Sequence, residues 1–512
     1  MLYLSFIWHM HQPYYRDLLS GKANLPWVRL HGIKDYLDMV TILEGYPNIH
    51  QTFNLVPSLI EQINSYTDGS ANDKFFELSK KRADSLSAEE SQFITGNFFM
   101  ADKQKILALH PRYYELYFNA KSKKKFSAQD LLDLQVWFNL AWFDPYFREN
   151  IPELKILVKK ARFFNEEDKN IILNKQIEIL KEIIPTYKKY QDKGQIEISI
   201  SPFYHPILPL LYNTKIAKDA NKETVLLEKD FSYPDDCRWH IREAVKCYKE
   251  NFGKPPQGMW PSEEAVAKQV MPLFIENGIN WVVTDESILL KRLKRKVRTP
   301  ELIYKSYALE CPDGDLNVLF RDRNISDLIG FVYQYWETEK AVDDFMFHLT
   351  SINKHFKNKD CLVVVALDGE NAWEYYKNDG RDFLNLLYSK ISNSEFIKAV
   401  TVSEYLALKP NIGKLSNIAA GSWINGDFTK WIGNPAKNKA WDLLLGARKL
   451  LEQTENPSEL AWKQIHILEG SDWFWWYGDK QRQFDELFRM HLRNFYKIIN
   501  QSPSVDLDKP LE

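Results

Sequence analysis

The sequence is short of cysteine, of net charge and of long apolar runs, and each shortage excludes something. Its four cysteines, Cys237, Cys247, Cys311 and Cys361, include no CxxC pair and are too sparse for a disulfide scaffold. A reducing setting fits them, so a cytoplasmic protein is expected. The formal net charge is −2, and the basic clusters near Lys291 and Lys121 read as solvated loops or helix ends. Without a basic stripe, no nucleic-acid partner is expected. No apolar run approaches the roughly 18 residues of a membrane helix, so no membrane partner is expected either. The opening MLYLSFIWHMHQPYY lacks a charged leader and a cleavage site and holds two histidines; it reads as a buried strand. Repeats and low-complexity linkers are also missing.

Aromatic side chains, by contrast, are abundant: 14% of the chain, including 16 Trp. Rings combine apolar faces with polar handles, so they fill a core or line a groove for sugars. Composition leaves both options open.

Short apolar runs alternate with helical stretches. They occupy residues 2–8, 49–56, 195–201, 257–260, 280–284, 316–320, 361–367 and 398–402. Near-continuous apolar strands separated by helices indicate a parallel sheet buried on both faces, and seven or eight such units suggest a relative of the (β/α)8 barrel. Residues of about 60–193 are too many for a plain crossover and read as a helical insertion, with AQDLLDLQVWFNLAWFDPYF as an example. After about residue 408 the strand signals stop. NKAWDLLLGARKLLEQ and FDELFRMHLRNFYKII carry apolar residues at helical spacing, which predicts a C-terminal helical domain.

In parallel barrels the chemistry sits at the C-terminal strand ends. There the sequence offers His9 and His11, His205, Glu263 and Glu264, Asp285 and Glu286, then Arg321, Asp322 and Arg323, and finally Asp368 and Glu370. Singly, each has a structural use. SEEAVAKQVMPLF reads as a helix start with Ser262 as cap, Asp285 as a cap of the next helix, and Asp-Gly as a turn. Together they are a costly cluster to keep for stability alone. Two reaction classes suit such a rim. Glycoside hydrolysis needs two carboxylates across the sugar bond. Metal-assisted hydrolysis of the deacetylase kind would use His9 and His11, with His205 and Asp368 as further ligands.

An ordered set of motifs favours the first, with the metal-dependent deacetylase using His9 and His11 as the alternative from a different class. HQP, PFYHP, MWPSE, DGEN with its aromatic cluster, GSWINGDFTKWIG and GSDWFWWYGD together closely resemble glycoside hydrolase family 57. The resemblance implies an α/β fold, an incomplete (β/α)7 barrel at residues 1–408 with a helical domain at 409–512 that closes the cleft. It implies a retaining enzyme that acts on α-1,4, or also α-1,6, bonds of an α-glucan or maltooligosaccharide. Glu263 matches the nucleophile and Asp368 the acid/base, with no metal and no cofactor. His11 and His205 match positions near the catalytic subsite. Asp285 and the rings of Trp260, Trp373, Trp423 and Trp473 are expected to bind substrate. The α-amylase and amylopullulanase members are the best match, with 4-α-glucanotransferase and branching enzyme as alternatives. Glu264 departs from the pattern, adding a second carboxylate beside Glu263.

Overall fold

The computed structural model describes every residue except 358, 371, 480, 481, 504 and 512. Asn371 of the DGEN motif therefore lies outside the described residues. All eight apolar runs are strands. They are β1 (Leu2–Met10), β2 (Gln51–Leu55), β3 (Ile196–Ser199), β4 (Gly258–Met259), β5 (Trp281–Asp285), β7 (Gly314–Arg321), β8 (Cys361–Asp368) and β9 (Ile397–Ala399). The sequence reading missed β6 (Tyr307–Cys311) and β10 (Gly413–Leu415).

The strands form two five-stranded sheets, and among the described residues no closed barrel is found. One sheet has the order β8-β1-β2-β3, with β9 beside the start of β1; the other runs β10-β6-β7-β5-β4. All pairings in them are parallel except β6 with β7. The sheets meet at two seams. At one, Ile200 bridges Met259 in parallel; at the other, the Asp322 N–H donates to Val364 O at 2.8 Å. Closure is discontinuous because β4 has only two residues and β7 bonds sideways to β6 and β5 rather than to β8.

The central pair is β1 with β8. Its register runs unbroken from Leu2 opposite Cys361 to His9 opposite Asp368. Both strands are buried along nearly their whole length, as expected where helices cover both faces. Helices from Pro57–Thr67 to Glu166–Asp192 fill the connection between β2 and β3. Pro435–Gln453, Glu459–Leu468, Ser471–Trp476 and Arg482–Ile498 follow β10. Among the described residues, no helix is long and apolar enough to cross a membrane.

One local expectation is corrected. Ser262 does not cap a helix: Ser262–Glu264 is a single 3-10 turn without a side-chain cap, and the helix starts at Met271. Both Glu263 (φ 58°) and Glu264 (φ 51°) are left-handed, which stops helix propagation at once.

The Asp-Gly turn after β8 is fixed by packing. A Cβ on Gly369 would lie 2.5 Å from Met10 Cε and Sδ, and the Gly369 N–H donates to His9 O at 2.8 Å. Gly369→Ala is therefore expected to destabilise the protein by about 1–3 kcal/mol through overpacking. The check is a lowered thermal midpoint, with no change expected from Gly45→Ala, which has open space around it.

Candidate active site

At the C-terminal ends of the strands lies a cavity of about 570 Å³, lined by His9, His11, Glu263, Asp368, Glu370, Trp423 and Asp472 among others. A larger cavity, of about 760 Å³, lies against Trp239 and Trp462. Several of its acids are already paired: Asp236 with Arg448, and Glu61 with Lys463. Chemistry rather than size therefore distinguishes the smaller cavity.

Glu263 reaches the cavity from the strained turn after β4. Two non-Gly residues in left-handed conformation in succession store backbone strain, and such strain clusters where side chains must be aimed. His205, on the loop after β3, is also left-handed at φ 58°. Trp423 fixes the Glu263 carboxylate: its Nε1–H donates to Oε2 at 2.8 Å, and its backbone N–H donates to Glu263 O at 3.2 Å. The Trp423 loop is tied down at Gly421, which pairs with Val266 through two backbone hydrogen bonds. Only glycine fits there, because a Cβ would lie 2.3 Å from Gly426 O.

Glu263 keeps 13% side-chain exposure, toward the cavity. Burial pushes its carboxyl up to about 8; the Trp423 hydrogen bond opposes this, and the charges of Asp368 and Asp472 add to it. Glu370, next along from Asp368, is buried and accepts from the His11 N–H at 3.0 Å and Gln12 Nε2 at 3.4 Å. Burial, then the charge of Asp368, raises its carboxyl well above the usual value of 4.5, while the His11 N–H opposes this.

Histidine and tryptophan rings form a column beneath the cavity. Trp260 stacks on His9 at 4.8 Å, His9 on His205 at 5.1 Å, and His205 on His11 at 4.0 Å. His9 is pushed down to about 3 and His205 well below 6.5, in both cases by burial first and neighbouring histidines second. His11 ends the column and pairs through Nε2 with Asp472 at 2.9 Å.

Several expected substrate contacts are elsewhere. Asp285 is fully buried and caps the next helix through Ser287 N–H at 2.9 Å, while Arg323 pairs with it at 2.5 Å. It scaffolds the floor under Trp423, whose ring lies 5.2 Å from the Arg321 guanidinium. Trp260, Trp373 and Trp473 are almost completely buried; Trp260 stacks on His9, while Trp373 and Trp473 meet Trp8 and His491 at tilted angles. The Nε1 groups of Trp373 and Trp473 donate to Gly369 O and Ile467 O. These three are core rings, since stacking a sugar needs a free face. Glu264 points away from the cavity, fully buried, and burial holds its carboxyl far above the usual range despite nearby Arg321.

The sequence reading placed the SDWFWW aromatics at the cleft but singled out Trp473 and did not name Asp472, whereas Asp472, Trp475 and Trp476 are the ones that line the cavity. They stand at i, i+3 and i+4 of the helix Ser471–Trp476, one face of a helix. That spacing was the signal; Trp473 is on the opposite, buried face.

Among the described residues, two clusters have the composition of a metal site, with one ligand atom from each residue within 4.8 Å of the others: His11, His205 and Asp472, and His240, His466 and Glu469. His11 and His205 stack face to face, so their in-plane lone pairs run side by side. His240 Nδ1 accepts from the Tyr204 N–H, which puts its proton on Nε2, facing Glu469 Oε2 at 2.8 Å. His9, expected as a ligand in the metal reading, is instead bonded through Nδ1 to Asn54 at 2.7 Å.

Comparison with known proteins gives one consistent answer. An α-amylase from Pyrococcus abyssi is 24% identical over 242 residues, which is 45% of this chain and 31% of the relative. A 4-α-glucanotransferase from Thermococcus litoralis is 23% identical over 223 residues, 42% of this chain and 28% of the relative. The matches thus span about a third of these curated relatives. The fold is similar to that of a branching enzyme from Pyrococcus horikoshii, at TM-score 0.61 and 16% identity, covering 99% of this chain and 96% of that one. An α-amylase structure from Thermotoga maritima gives 0.60 and 15%, covering 99% and 94%. The family model of Glycosyl hydrolase family 57 matches residues 5–415, most of the chain, and this chain belongs to glycosyl hydrolase family 57.

Proposed function

We propose that the protein is a retaining α-glucan hydrolase that cleaves α-1,4 glucosidic bonds in the 570 Å³ cavity. One observation carries the reading: Glu263 and Asp368, carboxylates from two different strand ends, line that cavity together. In this reading Glu263 attacks the anomeric carbon and forms a β-glycosyl-enzyme. Asp368 protonates the leaving oxygen and then takes the proton from the incoming acceptor. Trp423 holds the attacking oxygen in place, and the Asp472-paired His11, which lines the cavity, hydrogen-bonds sugar hydroxyls, while the buried His205 supports the His11 ring from beneath. With seven parallel strands around the site (β1, β2, β3, β4, β5, β7 and β8), we read residues 1–408 as an incomplete (β/α)7 barrel. Residues 409–512 are its helical cover, supplying Trp423, Asp472, Trp475 and Trp476. The α-glucanotransferase and branching relatives share the first half-reaction, and only the acceptor differs.

A second assignment of roles is favoured by one observation. Glu263 holds its proton up to about 8, which suits an acid better than a nucleophile. Trapping the glycosyl-enzyme with a fluorinated substrate and locating the label by mass spectrometry separates the two. Label on Glu263 is expected; label on Asp368 would reverse the roles.

Glu263→Gln and Asp368→Asn are each expected to lower kcat on maltoheptaose by about 100-fold or more. Wild-type activity in either variant would remove that residue from the mechanism. Glucose and short maltooligosaccharides are the expected products, whereas products longer than the substrate would indicate transfer. If Glu263 attacks as an anion, kcat/KM of the free enzyme rises with pH until Glu263 deprotonates near 8. Trp423→Phe removes the bond that favours the anion, so this limb moves to higher pH. The same group sets a stability change. Its folded pKa lies above its unfolded value, so its contribution is full below 4.5 and lost as pH rises through about 8. Glu263→Gln therefore raises the thermal midpoint relative to wild type at pH 9 but not at pH 4.

A further inference from the structure

Outside the cavity, the segment after β7 presents an unusual surface. Residues 328–336, LIGFVYQYW, carry no charge, and Phe331, Tyr335 and Trp336 are 70%, 81% and 45% exposed. Exposed aromatic patches of this kind mark binding surfaces. The segment is held firmly on its inner side. Tyr333 is buried and donates to Asp344 Oδ2 at 2.8 Å, and Tyr376 Oη donates to Ile329 O at 2.6 Å.

Its position ties it to the catalytic cavity. A Cβ on Gly330 would lie 3.8 Å from Leu367 Cδ1, one residue before Asp368. Tyr375 lines the cavity and is itself 49% exposed. Burial and the charges of Glu374 and Asp102 raise the Tyr375 phenol, and Tyr335 adds to them, so the two phenols are within electrostatic reach. Among the described residues, Phe331, Tyr335 and Tyr375 have no aromatic or cationic partner, unlike Trp336, which meets Tyr333 edge-on at 5.5 Å. Their faces are therefore available, unlike those of Trp260, Trp373 and Trp473.

We propose that Phe331, Tyr335 and Tyr375 form an outer shelf that binds the part of an α-glucan chain extending beyond the cavity. This rests on the function proposed above and specifies its substrate as a chain longer than the cavity holds. A cavity of about 570 Å³ suits a short oligosaccharide, so a polymer must continue over the rim. Uncharged, flat rings with phenolic handles suit a neutral, amphipathic sugar chain, and the absence of charge over residues 328–336 disfavours an ionic ligand.

The test compares wild type with Phe331→Ala, Tyr335→Ala and the double variant, with unchanged thermal midpoints confirming that these exposed positions leave the fold intact. The ratio of kcat/KM on long amylose to kcat/KM on maltotriose is expected to fall about five-fold per ring removed, through KM. Retardation in native gels containing soluble starch is expected to weaken in parallel. An unchanged ratio with unchanged retardation would overturn the shelf. If wild type cleaves no α-glucan, the catalytic reading fails, and the gels alone judge the shelf: retardation lost in the double variant supports it, and no retardation of wild type overturns it. Light scattering that shows a wild-type dimer dissociated by the double variant would make this face a contact between copies and overturn the proposal.

Discussion

The parallel pairing of β1 with β8 is the constraint on which the site depends. It joins the first ten residues of the chain to residues 361–368 and sets His9 level with Asp368. Because both strands are buried on both faces, a one-residue slip would turn every apolar side chain to the wrong side. The register is therefore stiff, and whatever stands at its C-terminal end inherits that stiffness. Gly369 completes it, since a Cβ there would push against the end of the Met10 side chain. A carboxylate at the end of a rigid strand is better aimed than one on a free loop.

Around that pair, burial does most of the electrostatic work. It lowers the proton affinity of His9 and His205, raises that of Glu264 and Glu370, and lifts Glu263 to about 8. A cluster of acids and histidines this dense would be unstable if all were charged, because neither desolvation nor like-charge repulsion would be relieved. The column of stacked rings is compatible with neutral imidazoles and would be disrupted by charged ones. Charge is thus concentrated where solvent still enters, at the cavity.

The strained turns at His205 and Glu263 show how the two halves are joined. The His205 segment bridges to Gly470, and the His205 carbonyl accepts from the Ser471 N–H at 3.0 Å. The Glu263 carbonyl accepts from the Trp423 N–H. Each strained residue on the strand side is thus held by the segment following β10, which relates the cost of the backbone geometry to the presence of Trp423 and Asp472.

The sequence by itself determined the strands, since continuous apolar runs of strand length between helical stretches have few other stable uses. It also determined the order of polar residues at the strand ends, which is why Glu263, Asp368 and His11 were legible as residues of one rim, whereas His205 is buried beneath it. It missed β6 and β10, a hairpin arm and an edge strand with mixed polarity. It could not rank the tryptophans, because a ring in the core and a ring in a groove have the same composition. Trp423 lines the cavity, whereas Trp260, Trp373 and Trp473 are buried, and Asp285 turned out to be neutralised by Arg323. Only the tertiary structure decided these, because exposure, pairing and proton affinity depend on neighbours brought from up to hundreds of residues away.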